Sequence, residues 1–152
     1  MFVAFLFAQG LFHLAQIFAK AHFKAALSGT DPNFPLSEWD RLLPQTNITL
    51  NLLRSARTNP RLSACTFIFG EFNFNATPLA PPGTKVVGFV SPEKRGSWEL
   101  NSEVGWYVGP SMHHYRCVQS YFPRTREVRD CDTVGFFPHS IPFPKVKLKD
   151  HL

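Results

Sequence analysis

Basic side chains in the second half of this sequence fall at predicted turns. Arg124, Arg126 and Arg129 lie in and beside one turn, and Lys94 and Arg95 lie in another. Guanidinium groups bind phosphate oxygens in a bidentate geometry, and such contacts position a nucleic acid without reading its sequence. Neighbouring aromatic rings could stack on bases or simply fill a core. The candidate residues for nucleic-acid contact are Arg124, Arg126, Arg129, Lys94, Arg95, Arg116, Trp106 and Tyr107.

The charge of the whole chain is compatible with this chemistry and does not select it. The formal net charge is +5, which suits either a nucleic acid or another anionic surface. Acidic neighbours of the basic turns partly balance the charge, so a solvated charged surface is the alternative interpretation. These neighbours are Glu93, Glu127, Asp130 and Asp132.

Metal and nucleophile chemistry are weaker interpretations of the remaining polar residues. His114 and Cys117 have a spacing close to that of a zinc knuckle, but no second pair of ligands completes a site. Cysteine–histidine catalysis needs a base and an orienting group that the sequence does not place. We therefore predict neither a metal nor a cofactor. The three cysteines are an odd number without close pairing, which indicates a reducing, intracellular compartment rather than secretion.

The elements that must position the basic turns are predicted strands. Short apolar runs between glycines and prolines are typical of a small antiparallel barrel or sandwich. Gly109 and Pro110 are expected to end the central aromatic strand, because proline cannot donate to a ladder. The predicted strands cover residues 84–90, 98–100, 106–108, 115–122, 126–130 and 133–137. A β domain over residues 78–140 follows, with a fraying tail at 141–152 that could instead form an edge strand.

The first half of the chain, residues 1–77, is predicted to be a helical arm. Ser37 stands where a helix N-cap would, and Pro44 should bend or stop the short helix that follows. An amphipathic helix is expected over residues 46–57 and a further apolar piece over 62–69. Prolines in 71–83 predict a linker without regular structure.

Residues 1–19 are strongly apolar and allow three interpretations. A polar stripe formed by Gln9, His13, Gln16, Lys20 and Lys24 recurs at helical spacing, which favours a helix packed on a partner surface. A membrane span and a signal peptide are the alternatives, although the positive region that precedes a signal core is missing.

Several motifs together resemble the integrase part of the pol polyprotein of copia- or gypsy-like LTR retrotransposons. They are WDRLLPQ at 39–45, TLNLLR at 49–54, PLAPPGTKV at 78–86, GWYVGP at 105–110 and DTVGFFPH at 132–139. The similarity covers roughly residues 20–140. It implies the helical end of a ribonuclease-H-like core followed by a small SH3-like β-barrel that contacts element DNA. The fold expected is thus α+β, a helical arm followed by an SH3-like barrel.

The chain departs from that family at the catalytic carboxylates. Integrase chemistry uses three carboxylates to hold two divalent metals. The last of them should be a glutamate shortly before the family's Lys-x-His-Phe, matched here at 20–23, yet the first acidic residue is Asp31. We therefore expect a non-catalytic fragment that binds DNA weakly and possesses no enzyme activity.

Partners and location follow from the same resemblance. DNA is the expected partner, with other pol or integrase chains as a further one, inside the cell and with the nucleus as one option. Two other classes stay open: a structural or oligomerisation fragment that packs through its phenylalanine-rich arm, and a protein anchored to a membrane by residues 1–19.

Overall fold

A computed structural model describes residues 18–138 of the chain, as helices followed by an antiparallel sheet. The α+β class is therefore confirmed. The predictions for residues 1–17, for the tail at 141–152 and for the last two residues of the β domain lie outside the described range.

Three α-helices are found in the described residues of the helical part. Helix α1 covers residues 18–28, α2 covers Leu43–Leu53 and α3 covers Ala64–Phe69, while a 3₁₀ helix at Leu36–Leu42 runs directly into α2. The short helix ends at Leu42, so the stop predicted near Pro44 is confirmed, and Pro44 itself lies in the first turn of α2, where its missing N–H costs nothing. The cap predicted at Ser37 is wrong, because the 3₁₀ helix is preceded by Pro35 and has no side-chain cap. Helix α3 has Ser63 as its N-cap, and Ser63 Oγ accepts a hydrogen bond from Thr66 N at 3.0 Å.

The sheet has five antiparallel strands in the order β4-β3-β2-β1-β5. They are β1 (Lys85–Phe89), β2 (Ser102–Pro110), β3 (Val118–Phe122), β4 (Glu127–Cys131) and β5 (Val134–Phe137). The long strand β2 pairs with β1 through its first half and with β3 through its second half.

The sheet must curl strongly. Strands β4 and β5 are its opposite edges, which would lie about 19 Å apart in a flat five-stranded sheet. Cys131 and Val134 are nevertheless joined by a link of two residues, which reaches at most about 11 Å. Within residues 18–138 no ladder joins β4 to β5, so the sheet is open and the closed barrel is not confirmed.

The convex face of the curled sheet is covered by the helical arm. Phe34 and Leu42 form one buried cluster with Val108 of β2 and Tyr121 of β3. The division at residue 77 stays a prediction, and this cluster takes side chains from both sides of it.

The concave face carries a second core, formed by Val86, Tyr107 and Val118. Phe122 lies beside it and is only 2% exposed. Two glycines make room for that ring: a Cβ at Gly105 would lie 2.5 Å from the backbone oxygen of Tyr121, and one at Gly88 would lie 2.7 Å from the Phe122 ring.

Three strand predictions need correction. Residues 98–100 form no strand, because Trp98 and Glu99 belong to a turn that the hydrogen bond from Glu99 N to Gly96 O closes. Strand β2 continues through Gly109 and Pro110, since a register shift after Tyr107 places the proline at the last position of the strand, where its missing N–H is tolerated. Strand β3 begins at Val118 rather than Tyr115. The linker at 71–83 has no helix or strand, as predicted, yet Gly83 N donates to Tyr107 O at 2.8 Å and ties it to β2.

Candidate nucleic-acid interface

The turn between β3 and β4 presents two of the predicted arginines to solvent. Phe122 and Glu127 are the last paired residues, and residues 123–126 form the turn. The Arg124 side chain is 68% exposed, and Arg126 is also exposed. Arg126 has a φ of 56°, a left-handed conformation that residues with a Cβ adopt rarely. A cationic side chain thus occupies a turn position that asparagine or glycine would fill with less strain.

Glu103 of β2 holds this turn from the concave side of the sheet. Its Oε1 accepts a hydrogen bond from Arg124 Nε at 3.1 Å, and its Oε2 accepts one from Arg129 Nη2 at 2.5 Å. The Glu103 side chain is only 10% exposed. Burial alone would raise the pKa of Glu103, but the hydrogen bonds from Arg129 and Arg124 outweigh it and lower the pKa below its ordinary value. The carboxylate is therefore charged at neutral pH and fixes both arginines.

Arg129 is more enclosed than the two turn arginines. Its guanidinium carbon lies 4.1 Å from the centre of the Phe122 ring, and its side chain is 30% exposed. Arg129 is consequently a structural cation at the rim of the concave face, and it supports Arg124 through their shared carboxylate.

Arg95 and Arg124 line the same surface groove of about 320 Å³, although they come from different connections. Arg95 follows a short 3₁₀ helix, Pro92–Lys94, in the β1–β2 connection. The groove also contains Glu99, Glu103 and the apolar side chains of Val90 and Leu100. Lys94 precedes Arg95 directly, but its side chain is outside the described part of the structure.

The predicted residue Arg116 lies elsewhere. It belongs to the β2–β3 connection, where its backbone N–H donates to Ala76 O at 2.9 Å. Its side chain lines a separate groove of about 540 Å³ together with Asp132 and Val134. Arg116 also has a positive φ, of 58°. The structure does not bring it to the cluster around Glu103.

The two predicted aromatic contacts are core residues. Tyr107 is fully buried, its hydroxyl accepts a hydrogen bond from Ala80 N at 3.4 Å, and burial raises its pKa to about 12. The prediction that Tyr107 stacks on bases is therefore wrong. Trp106 packs edge-on against Phe34 at 6.1 Å on the convex face, so the arm already occupies its ring.

Two residues beside the arginine cluster were not among the predicted site residues. Glu103 organises the arginines although 21 residues separate it from Arg124 in the chain, a contact that no local pattern reveals. Trp98 is 100% exposed in the connection that carries Arg95. A local signal for Trp98 exists, because the residues before it, 91–97, are a charged loop that contains proline and glycine, and a large ring next to such a loop can be left exposed.

Neither a metal centre nor a membrane span is found between residues 18 and 138. No group of three histidine, cysteine or acidic side chains is arranged to hold a metal ion, and no described helix is long and apolar enough to cross a bilayer. The cysteines Cys65, Cys117 and Cys131 are free thiols. Comparisons with protein-family models, with curated proteins and with solved structures find no match.

Proposed function

We propose that the chain is a non-catalytic module that binds nucleic acid weakly and with little sequence preference. The observation that carries the proposal is the convergence of Arg95, Arg124 and Arg129 around Glu103, with Arg126 on the same exposed turn. Between residues 18 and 138 the hydrogen bond of Arg124 uses Nε alone, so its terminal nitrogens remain for a phosphate.

The geometry favours positioning of the phosphate backbone over reading of bases. Arg124 and Arg126 project from a tight turn, and Glu103 partly neutralises the charge behind them. Few strong phosphate contacts are available, so a dissociation constant of about 10⁻⁴–10⁻⁶ M, the range of non-specific binding, is expected.

The resemblance to retrotransposon integrases supports the same function. The first four strands form a meander and the fifth pairs with the first, which is the strand order of an SH3-like barrel. The two-residue link between β4 and β5 agrees with such a barrel, because it keeps the adjoining ends of the two edge strands close. We propose that the module is an SH3-like domain from a pol polyprotein, associated with DNA and with other chains of that polyprotein in the nucleus. In this proposal it lacks the carboxylates for strand transfer, so element-end DNA incubated with magnesium should give only background products.

The test compares two double variants of equal charge. R124A/R126A removes the exposed turn arginines, and R57A/R61A removes two exposed arginines from the α2–α3 connection. Duplex binding is measured by fluorescence anisotropy at several salt concentrations. R124A/R126A should lower the slope of log K against log salt by about 1.8, since each phosphate contact contributes about 0.9. Equal effects of the two variants would show that only net charge matters and would reject the interface.

Self-association is a second candidate, favoured by the exposed apolar side chains of α3. Phe67, Ile68 and Phe69 are 49%, 69% and 83% exposed, and Phe74 is 58% exposed. Light scattering after size-exclusion chromatography tests this function. Self-association would become the favoured function if two results are obtained. The parent chain should form a dimer that is lost in the variant I68S/F69S, and it should bind no duplex.

A further inference from the structure

Trp98 is the most exposed large apolar side chain of residues 18–138, at 100%. A tryptophan is normally at least partly covered, because its ring is the largest apolar side chain that water must surround. Packing within the described protein therefore does not explain the presence of this ring.

The ring is nevertheless carried on a defined turn. Glu99 N donates to Gly96 O at 3.1 Å, and Gly96 N donates to Glu99 Oε2 at 3.0 Å. These two bonds close residues 96–99 into a turn with Trp98 at its third position. Because the backbone is held, binding through the ring requires little additional ordering.

The turn stands beside the groove that contains Arg95 and Arg124. Glu99, at the end of the turn, lines that groove, and so does Leu100, which is 83% exposed. Two guanidinium groups that can bind phosphates are thus next to an uncovered aromatic ring. A nucleotide offers the matching pair of groups, a charged phosphate and a flat base.

We propose that Trp98, together with Arg95 and Arg124, forms a site for an unpaired base of a single strand or strand end. This inference rests on the proposed nucleic-acid binding and specifies its substrate class. In a duplex each base is paired and lies between its neighbours, so the Trp98 ring can take up only a base that is unpaired and unstacked. Phosphate contacts by the arginines alone would not distinguish single strands from duplexes.

An anionic lipid surface is the other acceptor for an exposed indole beside cations. The charge pattern favours nucleic acid, because Glu99 and Glu103 line the groove with the two arginines. The two carboxylates would repel a continuous anionic membrane surface. A single phosphate of a nucleic acid can instead contact one guanidinium at a time.

The experiment measures anisotropy of labelled oligothymidine, a blunt duplex and the same duplex with a single-stranded overhang, on the full chain. W98A should weaken binding of oligothymidine and of the overhang by about tenfold and leave the blunt duplex unchanged. W98F, which keeps a smaller ring, should lie between W98A and the parent. F137A removes another exposed aromatic side chain, at the end of β5, and is the control that should change nothing.

The outcomes distinguish a failure of this inference from a failure of the proposed nucleic-acid binding on which it rests. If W98A binds all three oligonucleotides as the parent does, while R124A/R126A weakens them, the site for an unpaired base is rejected and the nucleic-acid function stands. If the parent binds no oligonucleotide, both the site for an unpaired base and the proposed nucleic-acid binding are rejected. A change in tryptophan fluorescence with phosphatidylserine vesicles that disappears in W98F, with no change on adding oligothymidine, would also reject the site and would assign the ring to lipid.

Discussion

The two faces of the curled sheet are built from different chemistry. The convex face is closed by the arm, with Phe34 and Leu42 buried to 4% and 1% exposure on β2 and β3. The concave face ends in a charged rim, where Glu103 binds Arg124 and Arg129. The convex contact is apolar and excludes water, whereas the rim keeps its charges close to solvent.

This difference separates the source of stability from the proposed source of nucleic-acid binding. Apolar burial scales with the area removed from water and supplies most of the folding free energy. Partly exposed ion pairs contribute much less, because solvent screens them. Changes on the convex face should therefore act on folding, and changes at the turn beyond the rim should act on binding.

The largest effect is expected from Leu42→Ala on the convex face. Removing this fully buried side chain should lower the free energy of unfolding by about 2–5 kcal/mol, since it leaves a cavity against Val108 and Tyr121. Urea denaturation followed by circular dichroism measures the loss. Leu53→Ala, at a site 72% exposed, is the matched control and should change stability by less than about 0.5 kcal/mol. Equal losses in both variants would contradict the packing of the arm on the sheet.

An intermediate effect is expected from Glu103→Gln at the rim. The substitution keeps the shape but removes the charge that binds two arginines, so we expect a loss of about 1–2 kcal/mol at neutral pH. The pKa of Glu103 is lowered in the folded state, so its contribution is present above the ordinary value of 4.5 and is lost as the pH falls through the lowered pKa.

A pH series of unfolding measurements tests the origin of this loss. The difference in stability between the parent and Glu103→Gln should shrink towards zero as the solution is acidified through that range. A difference that stays constant with pH would mean that lost packing, not lost charge, explains the neutral-pH result.

The smallest effect is expected from Tyr107→Phe, which removes only a buried hydroxyl. Loss of its contact with Ala80 N should cost about 0.5–1.5 kcal/mol. The raised pKa also predicts that one of the three tyrosines ionises only near pH 12, because burial disfavours the phenolate. Stability linked to Tyr107 is thus complete below its ordinary pKa of 10.0 and is lost as the pH rises through about 12. A spectrophotometric titration should lose this late phase in the variant; loss of amplitude near the ordinary pKa of 10.0 instead would show that the hydroxyl is accessible.

Much of the sheet could be predicted because local patterns determine it. The predicted segments that overlap β1, β4 and β5 are bounded by turn-forming residues, and the structure places strands there. The error at Pro110 has a tertiary cause: a register shift after Tyr107 creates a position that tolerates proline. The error at residues 98–100 has another cause. Tryptophan is common in strands, but Trp98 lies in the turn closed by Glu99 N and Gly96 O, and no strand within residues 18–138 pairs with residues 98–100.

The candidate site was predictable only in part, for a related reason. Turn chemistry placed Arg124 and Arg126 correctly on an exposed turn. The role of Glu103 depends on the curl of the sheet, which brings β2 against β4 across the concave face. The burial of Tyr107 was not predicted, because both faces of β2 are buried at this point. An alternating pattern along the strand cannot then distinguish a core side chain from an exposed one.

Gly105 and Gly88, which face the same phenylalanine ring, differ in how freely they can change. A side chain at Gly88 would collide with the Phe122 ring, so a smaller residue at 122 could relieve the collision. At Gly105 the closest atom is the backbone oxygen of Tyr121, and no exchange of side chains moves it away. Among diverging sequences of this fold, position 88 is therefore free to vary in step with position 122, whereas position 105 is held to glycine by the path of the chain itself.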